Sequence, residues 1–169
     1  ERGQQIAKEF PLQRIRFTTG GATRFHSVKN GLHLVDAHSL VFVHDGVRCL
    51  VTPQLIRRCG ELALGKGNAI PSIAANETIR IETATGNEAV DRNLVRIIQT
   101  PQTFFSNVIK EAFEQTYQES FTDEASVVEK LGIRINLVEG EESNIKITRP
   151  ADWLIAEKIL EERSIKSEV

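Results

Sequence analysis

The chain has 169 residues, 40% of them hydrophobic and 26% charged, a composition typical of one folded globular domain. Its net charge of −2 provides no basic excess to hold a polyphosphate backbone, which argues against nucleic acid as a partner. No apolar run approaches the roughly 20 residues that span a bilayer, and the polar N-terminus lacks the apolar core of a signal peptide, so no membrane contact is expected.

Helical and extended patterns alternate along the first part of the chain. Apolar spacing and end signals predict helices over Gln4–Phe10, over Arg24–Val35, and from Pro53 to about Gly65 with Thr52 as the N-cap. Short apolar runs predict strands at Ile15–Thr18, Leu40–Val43 and Ala69–Ala74. Such alternation is typical of an α/β fold with a parallel sheet.

A change of pattern near residue 76 indicates a β-arm over approximately residues 76–98. Thr78–Thr83 alternates apolar and polar residues, Thr85-Gly86-Asn87 has the composition of a turn, and Leu94–Ile98 is extended again. The arm is expected to project from the sheet.

The last third returns to mixed elements. It predicts helices over Ser106–Gln118, over Asp123–Leu131 with Thr122 as the N-cap, and from Pro150 onward, and strands at Ile133–Val138 and Asn144–Ile147. The final helix is expected to carry an apolar face formed by Trp153, Ala156, Ile159 and Leu160. Together the patterns predict one α/β domain over residues 1–169, with a Rossmann-like, mostly parallel sheet, helices on both faces and one projecting arm.

Few residues point to chemistry by spacing alone. Cys49 and Cys59 lack metal-ligand spacing and are interpreted as reduced thiols in a cytosolic protein. The four histidines lack zinc spacing and are taken as structural or exposed. The sequence contains no Met, which predicts that it does not begin at a translation start.

Asp45 and Arg48 follow the strand Leu40–Val43, at the edge where open parallel sheets bind ligands. A carboxylate there is suited to Mg²⁺ or a ribose hydroxyl, and an arginine to phosphate. The alternative is that Asp45-Gly46 only forms a turn and Arg48 is solvated, which spacing alone favours.

Four further positions have two interpretations each. Gly21 allows a backbone amide to approach a base or phosphate, or simply forms a tight turn. Ser27 contacts a ligand or is exposed to solvent, and Lys146 stabilises charge on a phosphoryl group or is an ordinary strand lysine. Arg92 binds a ligand or pairs with a neighbouring acid on the arm.

Five segments together resemble, in order and spacing, the methylerythritol phosphate cytidylyltransferases: His44–Arg48, Val90–Arg92, Gln99–Gln102, Thr122–Ser126 and Asn144–Pro150. The resemblance runs from about Gly20 to the final helix. It implies transfer of CMP from CTP to 2-C-methyl-D-erythritol 4-phosphate with release of pyrophosphate, in the non-mevalonate route to isoprenoids. It also implies Mg²⁺ as the cofactor and a cytoplasmic homodimer.

The resemblance assigns expected roles to nine residues. Gly21 and Ser27 would read the cytosine, Asp45 would lie near the ribose and Mg²⁺, and Lys146 would neutralise the reacting α-phosphate. The pocket for methylerythritol phosphate would be lined by Arg48, Thr100 and Thr122. From the arm, Thr78 and Arg92 would reach the neighbouring subunit's pocket.

The family's N-terminal strand and its glycine-rich loop with an Arg and a Lys, which hold the triphosphate, have no counterpart in this sequence. The chain alone is therefore expected to bind CTP poorly and to be nearly inactive. Two alternatives stay open. One is a ribitol 5-phosphate cytidylyltransferase, which would share Asp45, Arg48 and Lys146; the other is a non-catalytic, dimerising remnant of this fold.

Overall fold

The computed structural model describes residue 5 and residues 15–167. The helix predicted over Gln4–Phe10 lies outside the described residues, apart from residue 5. The described helices are α1 Arg24–Leu32, α2 Pro53–Lys66, α3 Ser106–Ala112, α4 Glu124–Glu129 and α5 Pro150–Ser167. The strands are β1 Leu40–Val43, β2 Asn68–Ala74, β3 Ile79–Thr83, β4 Gly86–Val90, β5 Arg96–Ile98, β6 Gln102–Phe105 and β7 Leu137–Glu139.

The described part of the chain divides into two compact units, one formed by residues 15–39 and 106–132 and the other by residues 40–105 and 133–167. In the first unit, aromatic rings form the centre of the core. Phe25 of α1 stacks on Phe113 and Phe121, with ring centroids 4.7 and 5.7 Å apart. Such pairs add to the free energy of burial, which holds α1 against the segment after α3.

Several expectations for this unit were wrong in detail. The helices predicted to extend to Val35 and to Gln118 end at Leu32 and at Ala112. The segment Ile15–Thr18, predicted as a strand, has no regular structure and is exposed. No described strand pairs with it, and a single unpaired strand is not stable in water. The N-cap of α4 is Asp123, not Thr122: the Asp123 carboxylate accepts from the Ser126 amide at 2.9 Å, and the two residues form a capping box.

The second unit contains a sheet with the strand order β1-β6-β2-β5, and β7 also pairs with β2. Helix α2 packs on this sheet, where its Leu55, Cys59 and Ala63 form a buried cluster with Ala69 of β2. The start of α2 is as predicted, with Thr52 as the N-cap and Pro53 at the first position. The helix ends at Lys66, and Gly67, at φ +93°, is its C-cap.

The α/β class is confirmed, and the sheet shows how its strands are arranged. β6 is antiparallel to both β1 and β2, and β7 is parallel to β2, so β1, β2 and β7 run in one direction and β5 and β6 in the other. Three of these four hydrogen-bonded pairs in the described residues are antiparallel. Two of the three arise because β6, which the sequence patterns did not predict, lies between β1 and β2, and the third is the pair of β2 with β5.

The arm region contains a hairpin in which β3 pairs with β4, from Ile79 opposite Val90 to Thr83 opposite Gly86. Its turn, formed by Ala84 and Thr85, overlaps the predicted turn Thr85-Gly86-Asn87 only at Thr85, because Gly86 and Asn87 already pair within β4. Residues 94–98 do not extend this hairpin: β5 pairs instead with β2, with Ala74 opposite Arg96. The part of the arm that is separate from the main sheet is therefore shorter than predicted, and its role in dimerisation stays a prediction.

The C-terminal part differs most from the sequence patterns. The strand predicted over Ile133–Val138 is present only as β7, and Asn144–Ile147 is not a strand. Helix α5 begins at Pro150 as predicted, but of its predicted apolar face only Ala156 is buried, whereas Trp153 is 61% exposed. Helical spacing shows which residues share a face but does not determine what covers that face. No helix in residues 15–167 is both long and apolar enough to cross a bilayer.

Candidate functional site

The turn that follows β1 presents a carboxylate and a buried guanidinium. The Arg48 amide donates to the Asp45 carbonyl at 3.0 Å and closes the turn. Arg48 is 9% exposed, and its Nε donates to Asp45 Oδ2 at 3.2 Å while its Nη1 donates to the Asn144 carbonyl at 2.6 Å. The alternative interpretation is therefore correct that these residues form a turn and wrong that Arg48 is solvated. Ligand binding by Asp45 and Arg48 stays a prediction.

The segment 144–147 runs beside this turn, because the Ile147 amide donates to the Val47 carbonyl at 2.9 Å. This contact brings Lys146 Nζ to 3.1 Å from Asp45 Oδ2. The Lys146 side chain is 50% exposed, so its ammonium group is also open to solvent. One carboxylate and two cations thus meet at the end of β1.

Two opposing effects act on the pKa of Asp45. Burial raises the pKa of its carboxyl, but hydrogen bonds and charge from Lys146 and Arg48 outweigh burial and lower it below its ordinary value. Asp45 is therefore an anion at neutral pH. This carboxylate holds both cations in place, and the cations are the groups able to bind a phosphate.

Thr100 is the fourth predicted site residue beside the turn that follows β1, and its hydroxyl forms hydrogen bonds with other groups of the protein. Thr100 Oγ1 accepts from the Asp45 amide at 3.0 Å and lies 2.9 Å from Nδ1 of His44. The Thr100 carbonyl accepts from Asn144 Nδ2 at 2.8 Å. The structure thus brings together Asp45, Arg48, Thr100 and Lys146.

Sequence reasoning missed three polar residues around this cluster. His44 bonds to Thr100 and to the Arg48 carbonyl, and Asn144 is fully buried. Gln99 is 3% exposed and bonds to both backbone groups of Glu141, accepting at 3.1 Å and donating at 2.8 Å. All three lie in the segments that carry the family resemblance, and this position could have identified them as residues of the candidate site.

In the first unit, the two predicted cytosine-reading residues contact each other. The Gly21 amide donates to Ser27 Oγ at 2.9 Å, and Ser27 Oγ donates to the Thr23 carbonyl at 3.0 Å. A Cβ atom at Gly21 would lie 2.8 Å from the carbonyl carbon of His26 and closer still to its Cβ. Glycine is therefore required here by the close approach of the first turn of α1.

The other three predicted residues are exposed, and their roles stay predictions. Thr122 directly precedes the N-cap of α4, and Thr78 directly precedes β3. Arg92 Nη1 donates to the Asn76 carbonyl at 3.1 Å, so this arginine bonds to a backbone group of the arm region.

Asp45 is also the residue to test for Mg²⁺. Within residues 15–167 no three His, Cys, Asp or Glu side chains are grouped as a complete metal site. Mg²⁺ commonly binds one or two carboxylates together with substrate phosphates and water. Both cations contact Oδ2 of Asp45, and its Oδ1 has no partner among the described residues, so one carboxylate oxygen fits such a shared site.

Known proteins of one family match this chain along most of its length. The model of the family described as "IspD: 2-C-methyl-D-erythritol 4-phosphate cytidylyltransferase" matches residues 1–162. The 2-C-methyl-D-erythritol 4-phosphate cytidylyltransferase of Bacteroides thetaiotaomicron is 50% identical over 141 residues, which are 83% of this chain and 64% of that protein. The enzyme of that name from Bacillus velezensis is 40% identical over 166 residues, 95% of this chain and 72% of that protein.

Solved structures agree with these relatives. The cytidylyltransferase of Thermus thermophilus superposes with a TM-score of 0.74 at 34% identity, over 86% of this chain and 73% of that one. The 4-diphosphocytidyl-2C-methyl-D-erythritol synthase of Anaerococcus prevotii gives a TM-score of 0.83 at 27% identity, over 95% and 78%. The chain spans 64% of the length of the first relatives that it matches.

Proposed function

Because this chain belongs to the 2-C-methyl-D-erythritol 4-phosphate cytidylyltransferase family, we propose that its protein transfers CMP from CTP to 2-C-methyl-D-erythritol 4-phosphate and releases pyrophosphate. The observation that carries the proposal is the cluster of Asp45, Arg48 and Lys146 at the end of β1. Its two cations are 3.2 and 3.1 Å from one carboxylate oxygen, in the segments that carry the family resemblance.

The reaction is a displacement at phosphorus. A phosphate oxygen of the acceptor forms a bond to the α-phosphorus of CTP, and the bond from that phosphorus to the bridging oxygen of the β-phosphate breaks, so the electron pair leaves with pyrophosphate. The acceptor phosphate has a second pKa of about 6 and is largely dianionic at neutral pH, so it needs no general base. Charge neutralisation and alignment are then the main tasks of the protein.

The geometry supports a different task for each cation. Arg48 is buried and held by Asp45 and a backbone carbonyl, which suits a fixed contact to the acceptor phosphate. Lys146 is half exposed, and among the described residues its ammonium group pairs only with Asp45. Its ammonium group can therefore exchange the carboxylate for the α-phosphate as negative charge develops there.

Mg²⁺ belongs to the proposal as cofactor, with Asp45 as its protein ligand. When bound, the ion would neutralise charge on the phosphates of CTP. Asp45 would hold the ion, and its Oδ2 is the oxygen that contacts Arg48 and Lys146.

The partners and the location are also part of the proposal. The hairpin β3–β4 carries Ile81, which is 53% exposed, and Leu94 nearby in the sequence is 80% exposed, which supports a homodimer formed through the arm. Thr78 and Arg92 would then contact the partner subunit's substrate. Two free cysteines support a cytosolic location.

The acceptor distinguishes this proposal from its first alternative. The relatives and structures described above bear names for chemistry on methylerythritol, which favours that acceptor over ribitol 5-phosphate. The decisive experiment measures pyrophosphate release from CTP and Mg²⁺ with each polyol phosphate alone and with both in competition. Both this chain and a form extended upstream to the length of its relatives should be assayed.

We expect turnover with methylerythritol phosphate in the extended form, and its loss in Lys146→Ala. Lys158→Ala is the matched control, because Lys158 is an exposed lysine paired with Glu161 on α5. If neither form releases pyrophosphate with either acceptor while the protein still dimerises, the non-catalytic remnant replaces this proposal. A preference for ribitol 5-phosphate as the acceptor would instead identify the activity as that of a ribitol 5-phosphate cytidylyltransferase.

A further inference from the structure

His44 contacts one backbone group of the turn that carries the charged cluster directly and a second one through the Thr100 hydroxyl. Its Nε2 is 3.0 Å from the Arg48 carbonyl, and its Nδ1 is 2.9 Å from Thr100 Oγ1. Thr100 Oγ1 is in turn 3.0 Å from the Asp45 amide. The three contacts form a closed ring that begins and ends on the turn from Asp45 to Arg48.

Only one arrangement of hydrogens satisfies this ring with a neutral imidazole. A carbonyl can only accept, so His44 Nε2 must carry the hydrogen and donate to Arg48. Nδ1 is then an acceptor, and the Thr100 hydroxyl donates to it. The same hydroxyl oxygen accepts from the Asp45 amide, so every donor in the ring has one acceptor.

From this ring we infer that His44, acting with the Thr100 hydroxyl, is a positioning residue for the charged turn. The inference rests on the proposed function. His44 holds the first amide and the last carbonyl of the turn whose side chains are the Asp45 carboxylate and the Arg48 guanidinium. It touches no substrate in this role, and the Thr100 side chain acts through the protein as well.

Thr100 and His44 differ in burial, and this difference allows His44 to be substituted without disturbing the core. Thr100 is 5% exposed, so its hydroxyl has little access to water and depends on its protein partners. His44 is exposed, so a substitution there leaves no cavity in the core. Because reacting groups lose alignment with small shifts, a displacement of the turn by about 1 Å can cost about 100-fold in rate.

The kinetic test uses variants that remove or keep each contact, in the chain extended upstream to the length of its relatives. His44→Phe and Thr100→Val remove the ring, and we expect each to lower kcat by roughly 10- to 100-fold with the KM for CTP unchanged. His44→Gln keeps a donor for the Arg48 carbonyl, and Thr100→Ser keeps the hydroxyl, so both should recover most of the lost rate. His33→Phe, at the exposed end of α1, is the control and should retain the wild-type rate.

The double variant His44→Phe/Thr100→Val decides whether the two residues act as one unit. We expect it to be no slower than the worse single variant, since the ring is already broken. Multiplied effects, or equal rates for Thr100→Val and Thr100→Ser, would overturn the inference.

A measurement without substrate separates this inference from the proposed function. Nitrogen-15 spectra of histidine in the wild-type protein should show the Nε2–H tautomer for His44, and Thr100→Val should shift the Nδ1 resonance. A hydrogen on Nδ1 in the neutral wild-type ring would overturn the ring even if the enzyme is active. Loss of CMP transfer by the wild type would instead overturn the proposed function and leave this measurement valid.

Discussion

The ion pair of Arg24 with Glu124 in the first unit allows a prediction of stability that is independent of function. Glu124 is fully buried, and its two carboxylate oxygens lie 2.7 and 2.8 Å from the two terminal nitrogens of Arg24. Removing one partner of a buried pair leaves an uncompensated charge and costs about 3–5 kcal/mol. The Arg24 side chain is 43% exposed, so we expect Arg24→Met to lower the free energy of unfolding by an amount near the lower limit, about 3 kcal/mol.

Urea unfolding followed by far-UV circular dichroism measures this loss. Lys29→Met is the matched control on the same helix: it removes a pair with Glu114, whose side chain is 69% exposed, and should cost at most about 1 kcal/mol. Arg24→Met/Glu124→Leu replaces both charges with apolar groups and should recover much of the loss. The reasoning is refuted if Arg24→Met costs no more than Lys29→Met, or if the double variant is less stable than Arg24→Met.

Three further outcomes follow from local geometry. In the chain extended upstream to the length of its relatives, Gly21→Ala should weaken CTP binding in titration calorimetry, because its new Cβ has no room. Gly20→Ala, whose Cβ would meet only one side-chain atom at 3.6 Å, should leave CTP binding unchanged, and equal affinities of the two variants would contradict this. Burial raises the pKa of Cys59 to about 11, so a thiol reagent at neutral pH should modify only the exposed Cys49 until urea is added. Backbone amides lower the pKa of Asp152, so its carboxylate stabilises the folded protein above the ordinary carboxyl pKa, and this stabilisation is lost as the pH falls through the lowered value. The difference in the free energy of unfolding between wild type and Asp152→Asn should therefore shrink in acid.

Helix starts were predictable because their signals are local. Thr52 accepts from the Leu55 amide three residues later at 3.1 Å, and Pro53 occupies the position where its missing amide costs nothing. The end of the same helix was placed two residues early, since Gly65 and Gly67 are both glycines and only Gly67 has the left-handed φ of +93°. The sequence offered both glycines as the C-cap, and the φ angle of the structure shows which of them it is.

Strands were harder to predict because each depends on a partner far along the chain. Leu40–Val43 was correct as an apolar run, yet its partner Gln102–Phe105 was missed. The side chains of Gln102 and Thr103 are polar but buried, at 1% and 0% exposure, so polarity concealed a central strand. Ile15–Thr18 had the composition of a strand, but no described strand pairs with it.

Composition and spacing did not identify the candidate site. Spacing alone favoured a plain turn for Asp45 and Arg48, and the site residues came from the family resemblance. The role inferred for His44 was not predictable, because its partner Thr100 lies 56 residues away and both nitrogens of the ring are used. A sequence pattern indicates which residues occur together, whereas the assignment of each donor to an acceptor requires the fold.

Burial distinguishes the two cations of the cluster in a way that their charge does not. A guanidinium has five N–H groups, and Arg48 uses three, toward Asp45, the Asn144 carbonyl and, at 3.5 Å, the Ile98 carbonyl. The remaining N–H groups have no partner in the part of the chain that the structure describes, so Arg48 can bind a phosphate without breaking its existing bonds. Among the described residues the Lys146 ammonium group pairs only with Asp45, and its side chain is half exposed, so it has further N–H groups and room to move toward developing charge. In the proposed reaction the fixed Arg48 therefore suits the phosphate of the acceptor, and the movable Lys146 suits the α-phosphate of CTP, whose charge changes during the reaction.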